Sequence, residues 1–384
     1  MNFYQSLVMQ ERVKQRIALN TYFFLSGLTF ATWASRIPSI KTYFNFNEAE
    51  LGTILLAMPI SSIIGLPVSG WLISKYNSRG PLVVAFVCFA LALIAIGFVT
   101  TPFLLVASIC VFSFFMRILN ISMNTQSITL QKKYEKRIVG SFHGLWSTGG
   151  LVGVGFSTLM VKLNIGMPVH LMVVSIVTLV CSIVAYFFTL TNDKAPSGNK
   201  LILGKPDAFI LYLGLLVFFA ALCEGGMFDW SGVYFKEVVK AEVFTYGYLI
   251  FMTFMALSRF FSDRLVELLG MPKTFAISAV SVAIGILISI IWPYFWPALF
   301  GFCLVGFGTA SVFPMAFSLA GTSQKYSAGM AISIISTYGT IGMLIGPPMV
   351  GYLAHAFGLR YAFFVFVFSG LMLIPISRLF FNRK

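Results

Sequence analysis

Charged residues are scarce in this chain. They make up 10% of its 384 residues, whereas about 25% is usual for a soluble domain. Acidic residues number 12 and histidines three, and the hydrophobic fraction is 58%. This composition excludes an ordinary soluble protein and indicates a chain surrounded by lipid.

Cysteine is scarce as well, and enzyme motifs are missing from the sequence. The five cysteines fall within hydrophobic segments and lack the spacing of a metal or redox motif: Cys88, Cys110, Cys181, Cys223 and Cys303. The sequence contains no nucleophile elbow, no phosphate-binding glycine loop and no metal-binding His/Glu pair. We therefore expect no enzymatic activity, no cofactor and no metal, and ATP-driven transport has no support.

Long hydrophobic segments are what the chain has in abundance. A helix of about 20 apolar residues crosses a hydrocarbon core roughly 30 Å thick. Twelve such segments occur, near 17–38, 50–74, 80–100, 103–129, 138–161, 168–190, 207–234, 244–262, 273–292, 296–319, 327–352 and 360–380. The sequence predicts a multi-pass, all-α membrane protein with twelve transmembrane helices.

The net charge of +14 is distributed unevenly between the two ends of these helices. Most Lys and Arg residues fall on one side of the membrane, while the other side has Lys41, Lys162, Lys236, Lys240 and Arg360. Basic loops face the cytoplasm, so we expect both termini there and the protein in the cytoplasmic (inner) membrane of a bacterium. A basic cytoplasmic rim explains the charge, and no nucleic-acid partner is expected.

A pattern of small residues occurs twice at a constant separation. Gly140, Ser147, Thr148, Gly150 and Gly153 recur as Gly329, Ser336, Thr337, Gly339 and Gly342. Small residues at helical spacing let membrane helices approach closely. A polar stretch at 191–206 separates six segments from six. We therefore expect two pseudo-symmetric six-helix bundles, 1–190 and 207–384, joined by a cytoplasmic linker at 191–206.

Two loops resemble the cytoplasmic signature loop of the major facilitator superfamily. One runs from Gly70 to Gly80 (GWLISKYNSRG), and the other begins at Arg259 (RFFSDR). The first copy has Ser74 and Asn77 where the family has Asp and Gly. The resemblance implies a gating role for five residues: Gly70, Arg79, Arg259, Asp263 and Arg264.

Three further stretches narrow this resemblance. They are Thr32–Lys41, Gly140–Gly153 and Glu224–Tyr234, which together look like the YbjJ-like branch, distantly similar to the fucose permease group. The resemblance implies the major facilitator fold and transport by alternating access. Antiporters of this superfamily typically carry a Gly-x-x-x-Gly-Pro signature in the fifth helix, which lacks proline here, so symport is favoured over efflux.

Glu224 is the most informative ionisable residue. A charge at the centre of a bilayer costs about 2.5–3.5 kcal/mol on insertion scales, and Glu224 lies roughly 25 Å along the seventh helix. Gly225 and Gly226 follow it and mark a place where the helix could bend. Desolvation would favour a proton on this carboxylate, which predicts a proton-coupling or substrate-binding role. The alternatives are an ion pair with Arg36 or Arg117, or a protonated acid satisfied by a neighbour.

Polar residues of the fourth segment form one stripe. Arg117, Asn120 and Asn124 share a helical face, and Gln126 follows. Such a stripe is typical of an aqueous cavity, although hydrogen bonds between helices would also explain single amides. Arg117 either pairs with a carboxylate or binds an anionic group of the substrate.

Other candidates have ordinary structural explanations as well. Trp33 and Trp230 could stack on a substrate or belong to the interfacial aromatic belt. Arg36 could recognise an anion or extend to the surface. Asp229 could couple protons or pair with Lys236 or Arg36. His143 and Trp146, three residues apart, could form a proton-relay and substrate-binding pair, or His143 could bond to a neighbouring backbone group.

These residues favour a monomeric secondary transporter with three partners: a small solute, protons and the lipid bilayer. Amide and aromatic side chains suit a hydroxylated, sugar-like solute, and proton-coupled symport is the first hypothesis. Arg117 instead favours a small organic anion, and proton-coupled uptake or efflux of such an anion or of a drug is the alternative. A non-transporting membrane receptor or scaffold is the alternative of another class.

Overall fold

The structure is a computed structural model that describes residues 3–134, 138–191, 207–326 and 328–382, without the side chains of 3–9, 260, 263, 328, 329 and 333. Within these ranges the chain is helical and has no strand. The helices are α1 (Phe3–Phe44), α2 (Glu48–Leu55), α3 (Ala57–Lys75), α4 (Arg79–Phe98), α5 (Pro102–Gln131), α6 (Val139–Lys162), α7 (Met167–Tyr186), α8 (Ala208–Glu237), α9 (Tyr246–Leu269), α10 (Met271–Ile291), α11 (Phe295–Thr309), α12 (Val312–Ala320), α13 (Ala328–Phe357), α14 (Leu359–Ala362) and α15 (Phe364–Phe381). The predicted all-α fold is confirmed.

Each of the twelve hydrophobic segments coincides with one helix or with a pair of helices in line. The pairs are α2 with α3, α11 with α12, and α14 with α15. In the part of the chain that the structure describes, ten helical segments are long and apolar enough to cross a membrane. The remaining two, α1 and α9, contain more polar residues, among them Asn20 in α1 and Arg259 in α9.

The helix ends follow from local side-chain chemistry. Asn47 begins α2 with a capping box, in which its side chain accepts from the Glu50 amide at 2.9 Å and the Glu50 carboxylate accepts from the Asn47 amide at 2.9 Å. Asp207 begins α8 by accepting from the Ile210 amide at 2.9 Å. Gly270 separates α9 from α10 at a φ of 78°, which a side chain would disfavour.

The chain divides into two compact units. One unit contains Met1–Ala34 and Ala57–Leu201, and the other contains Ser35–Leu56 and Ile202–Lys384. The second unit therefore includes the end of α1 and all of α2 in addition to the helices from α8 onward. The predicted linker at 191–206 lies outside the described residues except for Thr191, so the boundaries of the two bundles remain a prediction.

In the first unit, α1 and α6 pack backbone against backbone. A Cβ on Gly153 would lie 2.6 Å from the carbonyl oxygen of Leu28, and one on Gly149 would overlap the carbonyl of Phe24. Glycine is needed on α6 because a larger residue would push α1 away.

The second unit repeats this packing between α8 and α13. A Cβ on Gly342 would overlap the carbonyl oxygen of Phe218, and one on Gly339 would lie 3.0 Å from Val217. Gly342 is the repeat partner of Gly153, and each glycine contacts the first helix of its own half. The repeat seen in the sequence therefore has the same structural cause in both halves.

Many buried hydroxyl groups are satisfied inside their own helix. Thr29 donates to the Leu25 carbonyl, and Ser157 and Thr158 donate to the carbonyls four residues earlier, each at 2.8 Å. A hydroxyl bonded in this way presents no donor to a neighbouring helix.

Candidate functional site

Glu224 lies inside the second unit and is 7% exposed. Its Oε1 is 3.8 Å from Nη2 of Arg259 on α9, an ion pair at the long end of the range. The sequence predicted Arg36 or Arg117 as a structural partner for Glu224, whereas the partner in the structure is Arg259. Sequence position could not show this, because it depends on which face of α9 packs against α8.

The two glycines after Glu224 provide space for neighbouring side chains. A Cβ on Gly225 would lie 3.2 Å from Met343, and one on Gly226 would overlap the ring of Phe366. Helix α8 is continuous from Ala208 to Glu237 through this point. In this conformation, the glycines serve close packing and the helix is unbroken.

Asp229 lies five residues further along α8 and is half-buried. It has no ion-pair partner among the described residues. Lys236, one of its predicted partners, instead donates to the Pro38 carbonyl at 3.2 Å and to the Thr42 hydroxyl. The other predicted partner, Arg36, is a buried residue at 5% exposure and is not extended to the surface.

Tyr248 on α9 is a residue that the sequence analysis missed. It is 1% exposed, its ring meets Phe228 edge-on at 5.9 Å between centroids, and no described residue is hydrogen-bonded to its hydroxyl. Its burial against Phe228 could be found only from the packing of α8 on α9.

Arg117 lies in the first unit, where its Nε donates to the Ser62 hydroxyl of α3 at 2.7 Å. Gly65, one turn along α3, allows the close approach, since a Cβ there would be 3.2 Å from the Arg117 Cβ. Among the described residues, no carboxylate lies within ion-pair distance of Arg117.

The structure brings two of the three amides of α5 together. The Asn124 Nδ2 donates to the Asn120 Oδ1 at 2.7 Å, and this pair is exposed. Gln126 is buried away from them, and its Nε2 donates to the Leu190 carbonyl at 3.3 Å. Gln126 therefore has the contacts of a core residue.

The aromatic candidates and His143 differ in how exposed their side chains are. Trp33 and Trp230 are 1% and 0% exposed, so neither ring is open to a solute in this conformation. Trp146 is half-buried, with its ring 6.0 Å from that of Phe30. His143 is exposed, and its ring lies edge-on to Phe23 at 5.5 Å.

The first signature loop connects α3 to α4, and its Arg79 contacts α7. Arg79 donates to the Tyr186 carbonyl at 3.0 Å, and its guanidinium lies 4.4 Å from the Tyr186 ring centroid. Gly70 is exposed, and a Cβ at this position would meet no described atom within 4 Å. A cavity of about 510 Å³ adjoins this loop, with Arg79 and Phe115 in its wall.

The second signature loop is described in part. Arg259 is paired with Glu224, and Arg264 is exposed. The Asp263 side chain lies outside the described residues, so its predicted charge clamp is untested.

A cluster of three charged residues lies at the C-terminal end of α8, next to Glu237. The Lys41 ammonium group, at the end of α1, donates to Glu48 at 3.1 Å and to Glu237. All three residues belong to the second unit. The cluster fixes the end of α1 and the start of α2 against α8.

Apolar helices of membrane-spanning length, glycine-packed repeats and buried charges define a multi-pass membrane protein. The sequence matches the family model of the Major Facilitator Superfamily over residues 19–323 and 248–384. The chain therefore belongs to this superfamily of transporters.

Known relatives extend over nearly the whole chain. An uncharacterized MFS-type transporter of Yersinia pestis is 31% identical over 92% of this chain and 92% of its own. Membrane protein MosC of Rhizobium meliloti is 29% identical over 94% of this chain and 88% of its own. The fold is similar to the crystal structure of a bacterial homolog of the human lysosomal transporter Spinster, inward-facing and occupied, with a TM-score of 0.74 and 14% identity over 100% of this chain and 98% of that one.

Proposed function

We propose that this transporter is a proton-coupled symporter that moves a small polar solute into the cell by alternating access. It works as a monomer in the bacterial cytoplasmic membrane with both termini in the cytoplasm, and it belongs to the YbjJ-like branch of the superfamily. One proton moving through 100 mV supplies about 2.3 kcal/mol, enough for modest accumulation of a solute.

The observation that carries this proposal is the ion pair between the buried Glu224 and the half-buried Arg259. At 3.8 Å the two groups attract each other without the short contact of a tight ion pair. Protonation of Glu224 removes its charge and releases Arg259 from that attraction. A single proton thus changes the contact between α8 and α9, which is what coupling of a proton to helix movement requires.

The solute proposed first is hydroxylated and sugar-like. The exposed amide pair of Asn120 and Asn124 offers both donors and acceptors to hydroxyl groups. Trp146 is the accessible tryptophan among the three proposed for binding, and an aromatic face stacks on the apolar face of a sugar ring.

A small organic anion is the second candidate, and Arg117 favours it. Its Nε is held by Ser62, which fixes the side chain while its other two nitrogens form no ion pair with any described carboxylate. A guanidinium fixed in this way is suited to hold a carboxylate through two parallel hydrogen bonds.

The proposal is tested by uptake into proteoliposomes under an imposed pH gradient, using labelled panels of sugars and of mono- and dicarboxylates. Glu224→Gln should abolish gradient-driven accumulation and preserve exchange of the same solute across the membrane. Glu242→Gln, which alters an exposed carboxylate in the same unit, is the matched control and should accumulate normally. Accumulation by Glu224→Gln at the wild-type level would refute the coupling role. No gradient-driven movement of any solute would favour a receptor or scaffold instead.

A further inference from the structure

The cavity beside the first signature loop has a charged end and an apolar wall. Arg79 lines it at the start of α4, and its apolar lining includes Leu72, Val84, Phe115 and Ile118. Val84 lies roughly 7.5 Å further along the helix than Arg79, at 1.5 Å per residue. The cavity volume of about 510 Å³ is that of a small-molecule site. An apolar wall of this kind favours contact with hydrocarbon over contact with water.

The positive charge of Arg79 is not balanced by the carboxylate of any described residue. Its Nη2 donates to the Tyr186 carbonyl, and its Nε is buried without an acceptor among the described residues. The sequence from 51 to 134, which contains α3, α4 and α5, has no Asp or Glu, and neither has α7. Lys75, which ends α3, adds a second, exposed positive charge. The end of these helices that carries Arg79 is therefore complementary to an anion.

The second unit has a cavity at equivalent positions. This cavity, of about 190 Å³, lies beside the second signature loop and has Arg264 in its wall. Phe261 and Phe307 also line it, and they follow Leu72 and Ile118 of the first cavity by the same number of residues, 189 in each case. Because the same positions line a cavity next to a basic residue in both halves, the cavity follows from the fold of each half and is not a local packing defect.

Three occupants can be compared by their chemistry. A free anion such as inorganic phosphate would leave the apolar wall uncovered. The chain segment 192–206, which follows Thr191 in the cavity wall, contains three lysines and one aspartate, so its net charge does not complement Arg79. An anionic phospholipid has a phosphate group for Arg79 and acyl chains for the apolar wall. Basic pockets between transmembrane helices are suited to such headgroups.

We propose that this cavity binds an anionic phospholipid, with the phosphate group beside Arg79 and part of an acyl chain against Val84 and Phe115. The proposed orientation of the chain places this lipid in the cytoplasmic leaflet. Lipid binding itself goes beyond the proposed function and does not depend on proton coupling. Because the wall contains residues of α3, α4 and α5, the bound lipid joins the ends of these three helices.

The test is a titration of the full-length protein in detergent, followed by native mass spectrometry. The probes are dioleoylphosphatidylglycerol and dioleoylphosphatidylcholine, which have the same acyl chains and differ in net charge. The wild type should bind phosphatidylglycerol about fivefold or more tightly, which is the contribution of at least one basic residue near an anionic lipid. Equal affinity for the two lipids would overturn the proposal.

A charge variant locates the site. Arg79→Gln should weaken phosphatidylglycerol binding by about fivefold and leave phosphatidylcholine binding unchanged. Lys132→Gln is the matched control, because it removes an exposed positive charge at the end of α5 that does not line the cavity. Equal losses in the two variants would assign the preference to the general basic surface and overturn the proposal.

A second pair of variants tests the cavity without removing a charge. Gly80 belongs to the wall, and a Cβ there would meet no described atom within 4 Å, so Gly80→Phe can add a ring without a clash at its Cβ. Gly144→Phe is the control, since Gly144 on α6 has the same free space and lies outside this wall. Gly80→Phe should weaken phosphatidylglycerol binding, whereas Gly144→Phe should bind it like the wild type. Wild-type affinity in Gly80→Phe would show that the lipid binds elsewhere and would overturn the proposal.

A competition experiment separates a lipid from a free phosphate. Glycerol 3-phosphate has the phosphate group without acyl chains, so it should not displace phosphatidylglycerol at the same concentration. Displacement by glycerol 3-phosphate would show that the cavity recognises a free phosphate and would overturn the assignment to a lipid. None of these measurements depends on transport, so a failure of the proposed symport would leave their outcome unaffected.

Discussion

Replacing Gly153 by alanine should separate α1 from α6. The new Cβ would lie 2.6 Å from the Leu28 carbonyl oxygen and 3.0 Å from the Leu28 Cα, with the Ala31 Cβ at 3.2 Å. Relaxed contacts between carbon and a carbonyl oxygen are about 3.3–3.6 Å, so the backbones must move apart by roughly 0.7–1 Å. The obstruction is main chain, which cannot rotate away as a long side chain could.

The expected cost comes from overpacking, which typically destabilises by about 1–3 kcal/mol. Alanine recovers about 1 kcal/mol of helix propensity, so the net loss should be about 0–2 kcal/mol. Gly155→Ala is a matched control on the same helix, because a Cβ there meets nothing within 4 Å. Gly155→Ala should gain only the higher helix propensity of alanine. The two variants should therefore differ in unfolding free energy by about 1–3 kcal/mol.

Thermal unfolding of the purified protein in detergent, monitored by circular dichroism, measures this difference. Gly153→Ala should unfold at a lower temperature than Gly155→Ala, which in turn should match or exceed the wild type. Equal unfolding temperatures for the two variants would show that α1 and α6 are not packed backbone to backbone, and the structural explanation of the repeat would be wrong.

Three further predictions concern charged and polar contacts. Arg117→Lys keeps the positive charge but loses the planar guanidinium that can form two parallel hydrogen bonds to a carboxylate. Uptake of a carboxylate solute should therefore fall by about tenfold or more, while uptake of a neutral sugar is unchanged. Equal effects on both solutes would contradict an anion-specific role. Lys41→Met and Glu237→Gln should show a coupling of about 0.2–1 kcal/mol in a double-mutant cycle of unfolding in detergent, because the Glu237 side chain is 31% exposed and that of Glu48 is 25% exposed. Zero coupling would contradict a stabilising contact. Gln126→Leu removes one hydrogen bond and should lower the unfolding free energy by about 1 kcal/mol, with transport unchanged. A selective loss of solute affinity would instead place Gln126 in the binding site.

The helical architecture could be predicted because it depends on features that are local in the sequence. Stretches of about 20 apolar residues specify membrane helices, and Gly153 with Gly342 reveals the repeat because each must be small for the same reason. The interruption between α14 and α15 at Phe363 could not be predicted, because the neighbouring residues are as hydrophobic as the rest of the segment.

The side-chain contacts of the candidate site were harder to predict. Glu224 could be selected because a carboxylate in an apolar helix is conspicuous, but its partner depends on the rotation of α9. Gln126 was proposed as a binding residue together with Asn120 and Asn124. It lies two residues after Asn124, a rotation of about 200° around the helix, and it is buried in the core. Tyr248 has no distinguishing signal in the sequence, because buried tyrosines are common in membrane helices.

The hydroxyls of Thr29, Ser122 and Thr158 have a consequence for how this protein can change over time. Each donates to a carbonyl of its own helix, so to its neighbours it is equivalent in shape to a small apolar residue. Exchange with alanine or valine should be tolerated there without any change in the transported solute. Solute selectivity should therefore depend on the polar side chains that do not donate to a carbonyl of their own helix. Differences at those positions should distinguish related transporters that carry different solutes.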